Sequence, residues 1–162
     1  MIKEMIVDKD IECCAEVIRE AFKTVADEFG LTKSSAPTNP AFITFDRLKQ
    51  SIAQGTKLFA LLKAEQVIGC IGVEQSQKDE HVFFIERLAV LPKARHRGYG
   101  TELLNFACSY IKHLHGKTVS IGIIEENKIL KKWYIKHGFK ETSVKKYNHL
   151  PFTVCFLEKQ VI

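Results

Sequence analysis

Apolar residues recur at alternating spacings of four and three from Ile11 through Ala15, Ile18, Phe22 and Val25 to Phe29. That period lines one stripe of a helix, which can be buried while the charged residues between stay in water. Asp8 and Asp10 stand ahead of it as N-cap oxygens, and Gly30 stands where a left-handed residue ends a helix. Residues 2–7, β-branched in places, predict a first strand. Residues 31–41, rich in Ser, Thr, Asn and Pro, predict a loop. A second helix over about 45–54 places Phe45, Leu48 and Ile52 on one side and stops at Gly55.

The pattern then changes to dense apolar runs. Residues 57–63 and 66–74 predict two strands joined by a tight hairpin at Ala64 and Glu65. A third strand, 82–91, follows the polar turn 76–80; its V-F-F-I and L-A-V-L runs predict a central strand buried on both faces. A helix starting at Thr101 carries Leu103, Leu104, Ala107, Cys108 and Ile111 on one face and closes near His115, with Gly116 as its stop. Residues 118–124 predict another buried strand. A helix through about Lys136 is ended by Gly138, and strands 139–146 and 151–158 complete the chain around a turn at 147–150. The order β-α-α-β-β-β-α-β-α-β-β predicts a mixed α+β fold with four helices and a central sheet of six to seven strands. Its middle should hold a parallel pair, with a right-handed crossover helix joining 82–91 to 118–124. There is no internal repeat, and 162 residues are read as one domain, 1–162.

Composition changes this picture little. No apolar run approaches the ~20 residues that span a membrane, and the first residues lack the apolar segment of a secretory signal. The five cysteines are odd in number and form no C-x-x-C pair, so neither a disulfide framework nor a metal site is expected, and a cytoplasmic location is. The net charge of +5 suits an anionic ligand. The lysines are scattered without interleaved aromatics, so a solvated basic face is preferred to nucleic-acid binding.

The candidate chemistry begins where strand 82–91 ends at Pro92 and a basic turn follows, with Lys93, Arg95, Arg97, Gly98 and Gly100. A helix start after such a turn offers unpartnered N–H groups and a positive dipole end, and glycines let a phosphate approach the backbone. The dinucleotide fingerprint lacks its third glycine, and the P-loop lacks its lysine. What stands is Arg95-x-x-Gly98-x-Gly100, which resembles the acyl-CoA signature R/Q-x-x-G-x-G/A of the GNAT superfamily of N-acetyltransferases. A second segment, Asn127-x-x-Leu130-x-x-x-Tyr134-x-x-x-Gly138-Phe139, resembles the family's N-x-x-A-x-x-x-Y-x-x-x-G-F, with Leu130 in place of the usual small residue.

The resemblance covers nearly the whole chain and implies a GNAT-like fold and an acetyl-CoA-dependent transfer of an acetyl group directly to a primary amine of a small molecule or protein. It implies that Leu88, Ala89 and Val90 pair with the pantetheine arm. The turn Arg95, His96, Arg97, Gly98, Tyr99, Gly100 and Thr101 would hold the pyrophosphate, and Asn127 would hydrogen-bond the arm. Tyr134 would protonate the departing thiolate, and the Val90 N–H would polarise the thioester carbonyl.

An amine is protonated at neutral pH, so a base or water relay is needed. Glu86 is the candidate: it lies four residues before Val90 on the same strand face, in an apolar run that would raise its pKa. His81 is a weaker one, and Cys108 reads as core rather than nucleophile. The acceptor pocket is expected from the first two helices, their loop and the last hairpin, through Asp27, Glu28, Asn39, Phe42, Phe45, Tyr147, His149 and Phe152. The rival readings are a catalytically silent acyl-CoA-binding module of the same fold and a nucleic-acid-binding domain. Family members often pair, and a homodimer through the apolar last strand would follow that habit.

Overall fold

A computed structural model describes residues 1–162. In chain order the elements are β1 (Ile2–Glu4), α1 (Asp8–Glu28), α2 (Phe45–Ala53), β2 (Lys57–Lys63), β3 (Gln66–Gln75) and β4 (Val82–Val90). They continue with α3 (Tyr99–His113), β5 (Thr118–Ile124), α4 (Lys128–Lys136), β6 (Lys140–Lys146) and β7 (Thr153–Gln160). Single 3-10 turns stand at Pro40–Phe42 and Pro92–Ala94. This is the predicted mixed α+β order, with seven strands in the sheet order β1-β2-β3-β4-β5-β7-β6. The one parallel ladder, β4 with β5, matches Val82, Phe83 and Phe84 to Thr118, Val119 and Ser120. A parallel pair needs a crossover, and α3 supplies it.

The chain divides into two compact units. The first comprises Met1–Glu74 and Ile85–Ala107. Here α1 buries Ile11, Ala15 and Ile18 as its stripe predicts. Its N-cap is Val7, without a side-chain bond. Asp8 and Asp10 therefore do not cap; they lie inside the first turn, where their charge opposes the helix dipole. At the other end Gly30 has φ +64 and Leu31 N–H donates to Ala26 O at 2.8 Å, a Schellman closure. Thr44 caps α2 by accepting from Arg47 N–H. The β2–β3 hairpin turns on Ala64 and Glu65, both left-handed at φ 50 and 65, the twist a two-residue hairpin requires. β1 is shorter than predicted, pairing Ile2, Lys3 and Glu4 with Leu61, Ala60 and Phe59.

The second unit comprises Gln75–Phe84 and Cys108–Ile162. β5 buries Val119, Ser120, Ile121, Ile123 and Ile124 and pairs antiparallel with β7 along its length. Three expectations need correction here. Phe84 is 38% exposed, so β4 is not buried on both faces. The left-handed residue that ends α3 is His115 (φ 63), with Gly116 N–H donating to Ile111 O at 2.9 Å. Gly116 is needed for space instead, because a Cβ there would lie 2.4 Å from Ile111 Cγ2 and 2.8 Å from Phe83 Cδ1. The apolar last strand, β7, pairs with β5 on one side and β6 on the other. Neither of its edges is open to a second copy, and the strand that ends the sheet is the fully exposed, lysine-bearing β6.

Candidate functional site

In the first unit, β4 runs through the Pro92–Ala94 turn into α3. His96 (φ 64) and Gly98 (φ 85) are left-handed on either side of Arg97. Alternation of this kind turns successive N–H groups to one concave side, the geometry of an anion nest. α3 begins at Tyr99, two residues before the expected Thr101, and Glu102 N–H already donates to Gly98 O at 3.0 Å. A Cβ on Gly98 would meet nothing within 4 Å, so the face beside the turn is open. His96, Arg97 and Lys93 are exposed there.

Arg95 does not join them. Its guanidinium donates to Ala21 O at 2.8 Å and to Thr24 Oγ1 at 3.0 Å, tying the turn to α1. Burial lowers its pKa from the usual arginine value. The basic field of the turn therefore comes from Lys93 and Arg97, and Arg95 offers the turn its main chain. Tyr99 is half-buried with Lys63 Nζ 5.4 Å from its ring centre. The strand just before, Leu88, Ala89 and Val90, presents Ala89 buried and the other two half-buried. Gly69 on β3 lets it approach: a Cβ there would lie 2.9 Å from both Ala89 O and Leu103 Cδ1.

Glu86 lies on the same strand, its Oε2 3.1 Å from Arg87 Nη1, and Arg87 Nη2 donates to Ser51 Oγ at 3.2 Å. Burial, followed by the neighbouring Glu74 carboxylate as acceptor of the Glu86 proton, pushes the Glu86 carboxyl up to about 7, against the lowering pull of Arg87. Arg87 itself is left-handed (φ 52) within β4. A bulge of this kind interrupts the period of two, so the shared face of Glu86, Leu88 and Val90 expected from simple alternation does not carry through it. What raises the Glu86 carboxyl is its burial and its neighbour Glu74.

In the second unit, Asn127 caps α4 by accepting from Leu130 N–H through Oδ1 at 3.2 Å, which leaves its NH2 to donate elsewhere. Tyr134 is 2% exposed, edge-on to Trp133 and Phe139 at 5.0 and 5.3 Å between ring centres. Burial raises its phenol well above the usual value, with Cys108 adding to the effect, so the hydroxyl keeps its proton throughout the neutral range. Cys108 is buried on the apolar side of α3, as core. Glu125, Glu141 and Cys155 bring ligand atoms within 4.8 Å of one another. The Lys131 ammonium already lies 2.6 Å from the Glu125 carboxylate and 3.4 Å from Glu141, so these acids have their cation. His81 is exposed at the start of β4, 3.7 Å from Glu80.

The expected acceptor residues divide by unit. Asp27 and Phe42 line a groove of about 500 Å³ in the first unit, with Glu16, Glu20, Leu31 and Ala41. Asp27 is paired with Lys23 at 3.0 Å, and Glu28 is exposed. Asn39 caps the Pro40–Phe42 turn, and Phe45 lies under Lys49. In the second unit the Tyr147 ring contacts His149 and carries Lys145 at 4.8 Å, while Phe152 is half-buried.

The chain and its fold have counterparts among known proteins. The model of the Acetyltransferase (GNAT) family matches residues 19–139. The chain belongs to the GNAT acetyltransferase family. It is 28% identical over 149 residues to an uncharacterized N-acetyltransferase encoded in the pepI 3′ region of Lactobacillus delbrueckii subsp. lactis, covering 85% of this chain and 83% of that one. The fold is similar to a ribosomal-protein-alanine N-acetyltransferase from Brucella melitensis, with TM-score 0.75 and 15% identity over 99% of each chain. It is also similar to a GNAT family acetyltransferase from Elizabethkingia anophelis with acetyl-CoA bound, with TM-score 0.63 and 20% identity over 70% of this chain and 82% of that one.

Three residues of this GNAT chain escaped sequence reasoning: Gly69, Gly72 and Glu74. The two glycines did leave a signal, since a glycine inside a strand marks a close approach by another backbone. Gly72 in fact faces Glu86, whose O would lie 3.3 Å from an added Cβ. Nothing in a period-two pattern announces a left-handed arginine.

Proposed function

We propose that this GNAT protein is an acetyl-CoA-dependent N-acetyltransferase that moves the acetyl group directly from the thioester to a primary amine. The observation that carries this reading is the open, left-handed turn at His96 and Gly98, set between the end of β4 and the first N–H groups of α3. Its N–H groups, with Arg97 and Lys93 beside them, suit a diphosphate, and the backbone at Leu88–Val90 suits an amide-bearing arm. Asn127 spends its Oδ1 on the Leu130 N–H, which leaves its amide donor for the coenzyme contact that the family resemblance implies. The family match includes residues of both compact units, and we read 1–162 as one acetyltransferase domain.

When bound, acetyl-CoA supplies the activated acyl group. Glu86 takes a proton from the substrate ammonium through water, which frees the nitrogen lone pair to attack. The N–C bond forms as the C–S bond breaks, the nitrogen's second proton passes through water to the departing sulfur, and the Val90 N–H stabilises charge on the carbonyl oxygen. Tyr134 donates to the leaving sulfur. Because burial holds the phenol above its usual pKa, full transfer to a thiolate of ordinary pKa near 8.5 is uphill, and its main contribution is a charge-assisted hydrogen bond.

The test is thiol release from acetyl-CoA across a panel of small amines and N-terminal peptides. Release with an amine, lost in Gly98→Glu because a carboxylate replaces the phosphate's space, supports the reading. Coenzyme binding without release for any amine class would favour the silent module. Equal turnover by Gly98→Glu would remove the turn from the site.

A further inference from the structure

The face of β3 that meets β4 holds a second carboxylate that neither motif includes. A Cβ on Gly72 would lie 3.3 Å from Glu86 O and 3.5 Å from Glu86 Cβ, so Gly72 stands directly against Glu86. Glu74 is two residues further along β3 and therefore on the same face. Diagonal neighbours in a sheet are within reach of long side chains. With no side chain at Gly72 between them, the Glu74 carboxyl has a clear diagonal path to Glu86. On its other side Glu86 is held by Arg87 at 3.1 Å, and Arg87 is held by Ser51 at the end of α2 at 3.2 Å. The side chains of Glu86 and Arg87 are 28% and 18% exposed, which keeps this contact from being screened as a surface pair would be.

We propose that Glu74 and Glu86 form a proton-sharing carboxylate pair, anchored through Arg87 to Ser51, in which Glu74 is the positioning residue for the reaction's proton acceptor. The inference rests on the reading of Glu86 as that acceptor. The charge balance explains the design. Two carboxylates sharing one proton beside one guanidinium sum to zero, whereas loss of the shared proton leaves a net negative charge in a half-buried place. That raises the affinity for the last proton, so the pair accepts one from an ammonium at neutral pH, where an isolated carboxylate would not. In the step itself the ammonium N–H breaks, water relays the proton, and an O–H forms on Glu86. Solvent takes the proton after turnover. The charged groups facing Glu86 are Glu74 from β3 and Arg87 from its own strand; α2 presents the uncharged Ser51.

Carbon-13 titration of the glutamate carboxyls tests the pair without reference to catalysis, with Glu86→Gln identifying the Glu86 signal. Wild-type Glu86 should titrate near 7. Glu74→Gln should lower that midpoint by about half a pH unit or more, since a like charge and a shared proton are lost. Arg87→Gln should raise it, and this opposite sign carries the test if Glu74→Gln fails to fold. The acid limb of kcat/KM for an amine should move in the same directions. An unmoved Glu86 midpoint in Glu74→Gln overturns the pair, whatever the activity. A midpoint that moves while the rate profile stays still upholds the pair and removes Glu86 as the acceptor.

Discussion

Glu86 and Glu125 respond to pH with opposite signs. Glu86 has a folded pKa raised from 4.5 to about 7, so its contribution to stability is fully present below 4.5 and is lost as pH rises through 7. Glu86→Gln should therefore stabilise the fold at pH 8 by about 1–2 kcal/mol, after allowance for partial exposure, and do nothing at pH 4. Glu125 is held down to about 2 by hydrogen bonds from Lys128 and then Lys131. Its contribution is present above 4.5 and lost as pH falls toward 2, so Glu125→Gln should lower the melting temperature at pH 7 and matter less in acid. Melting curves at pH 4, 7 and 8 check both signs; a destabilised Glu86→Gln at pH 8 would contradict the burial argument. Tyr134 makes a kinetic prediction. A charged-acceptor hydrogen bond of ~1.5–3 kcal/mol corresponds to about a 10–100-fold loss of kcat in Tyr134→Phe, with KM for acetyl-CoA nearly unchanged. An unchanged kcat would remove the phenol from the leaving-group side.

At the level of elements, the corner after α3 separates two demands often confused in a sequence. His115 occupies the left-handed position, while Gly116 fills a place where a Cβ would meet Ile111 O at 2.9 Å. His115→Gly should stabilise by up to about 1 kcal/mol, because the left-handed strain is relieved. Gly116→Ala should destabilise by about 1–3 kcal/mol through overpacking. Urea unfolding compares the two, and equal signs would refute the assignment. The pattern could not distinguish them, since either residue ends a helix on paper. Where period and burial agree, the reading was close: the bounds of β2 and β5 match residue for residue, and the first half of the α1 stripe is buried while Phe22, Val25 and Phe29 are half-buried. It failed where partners decide. β7 was expected to pair with a second copy because it is apolar, but strand neighbours are set by the sheet order, and the edge fell to the exposed β6.

For the molecule as a whole, the net charge of +5 belongs to one part of the chain. The second unit holds 11 lysines against 6 acidic residues, and all five arginines lie in the first unit. Lysines without arginines give a diffuse field rather than bidentate phosphate recognition. Binding of the protein to RNA or DNA should be weak, independent of sequence and gone by about 0.2 M salt. Filter binding across a salt series tests this, and tight binding at that salt would contradict it. The family was legible from two short motifs because each sets main-chain geometry that few residues permit. The support around Glu86 was not, because Gly72, Glu74, Arg87 and Ser51 lie on three elements and meet only in the fold.

The proposed function stands on main-chain N–H groups around Gly98 receiving the coenzyme's phosphates. Titrating CoA into nitrogen-15-labelled protein and following each backbone amide measures it most directly. Saturable shifts should be largest from Arg97 to Thr101 and should be lost in Gly98→Glu. Saturable binding that leaves those amides unmoved would contradict it.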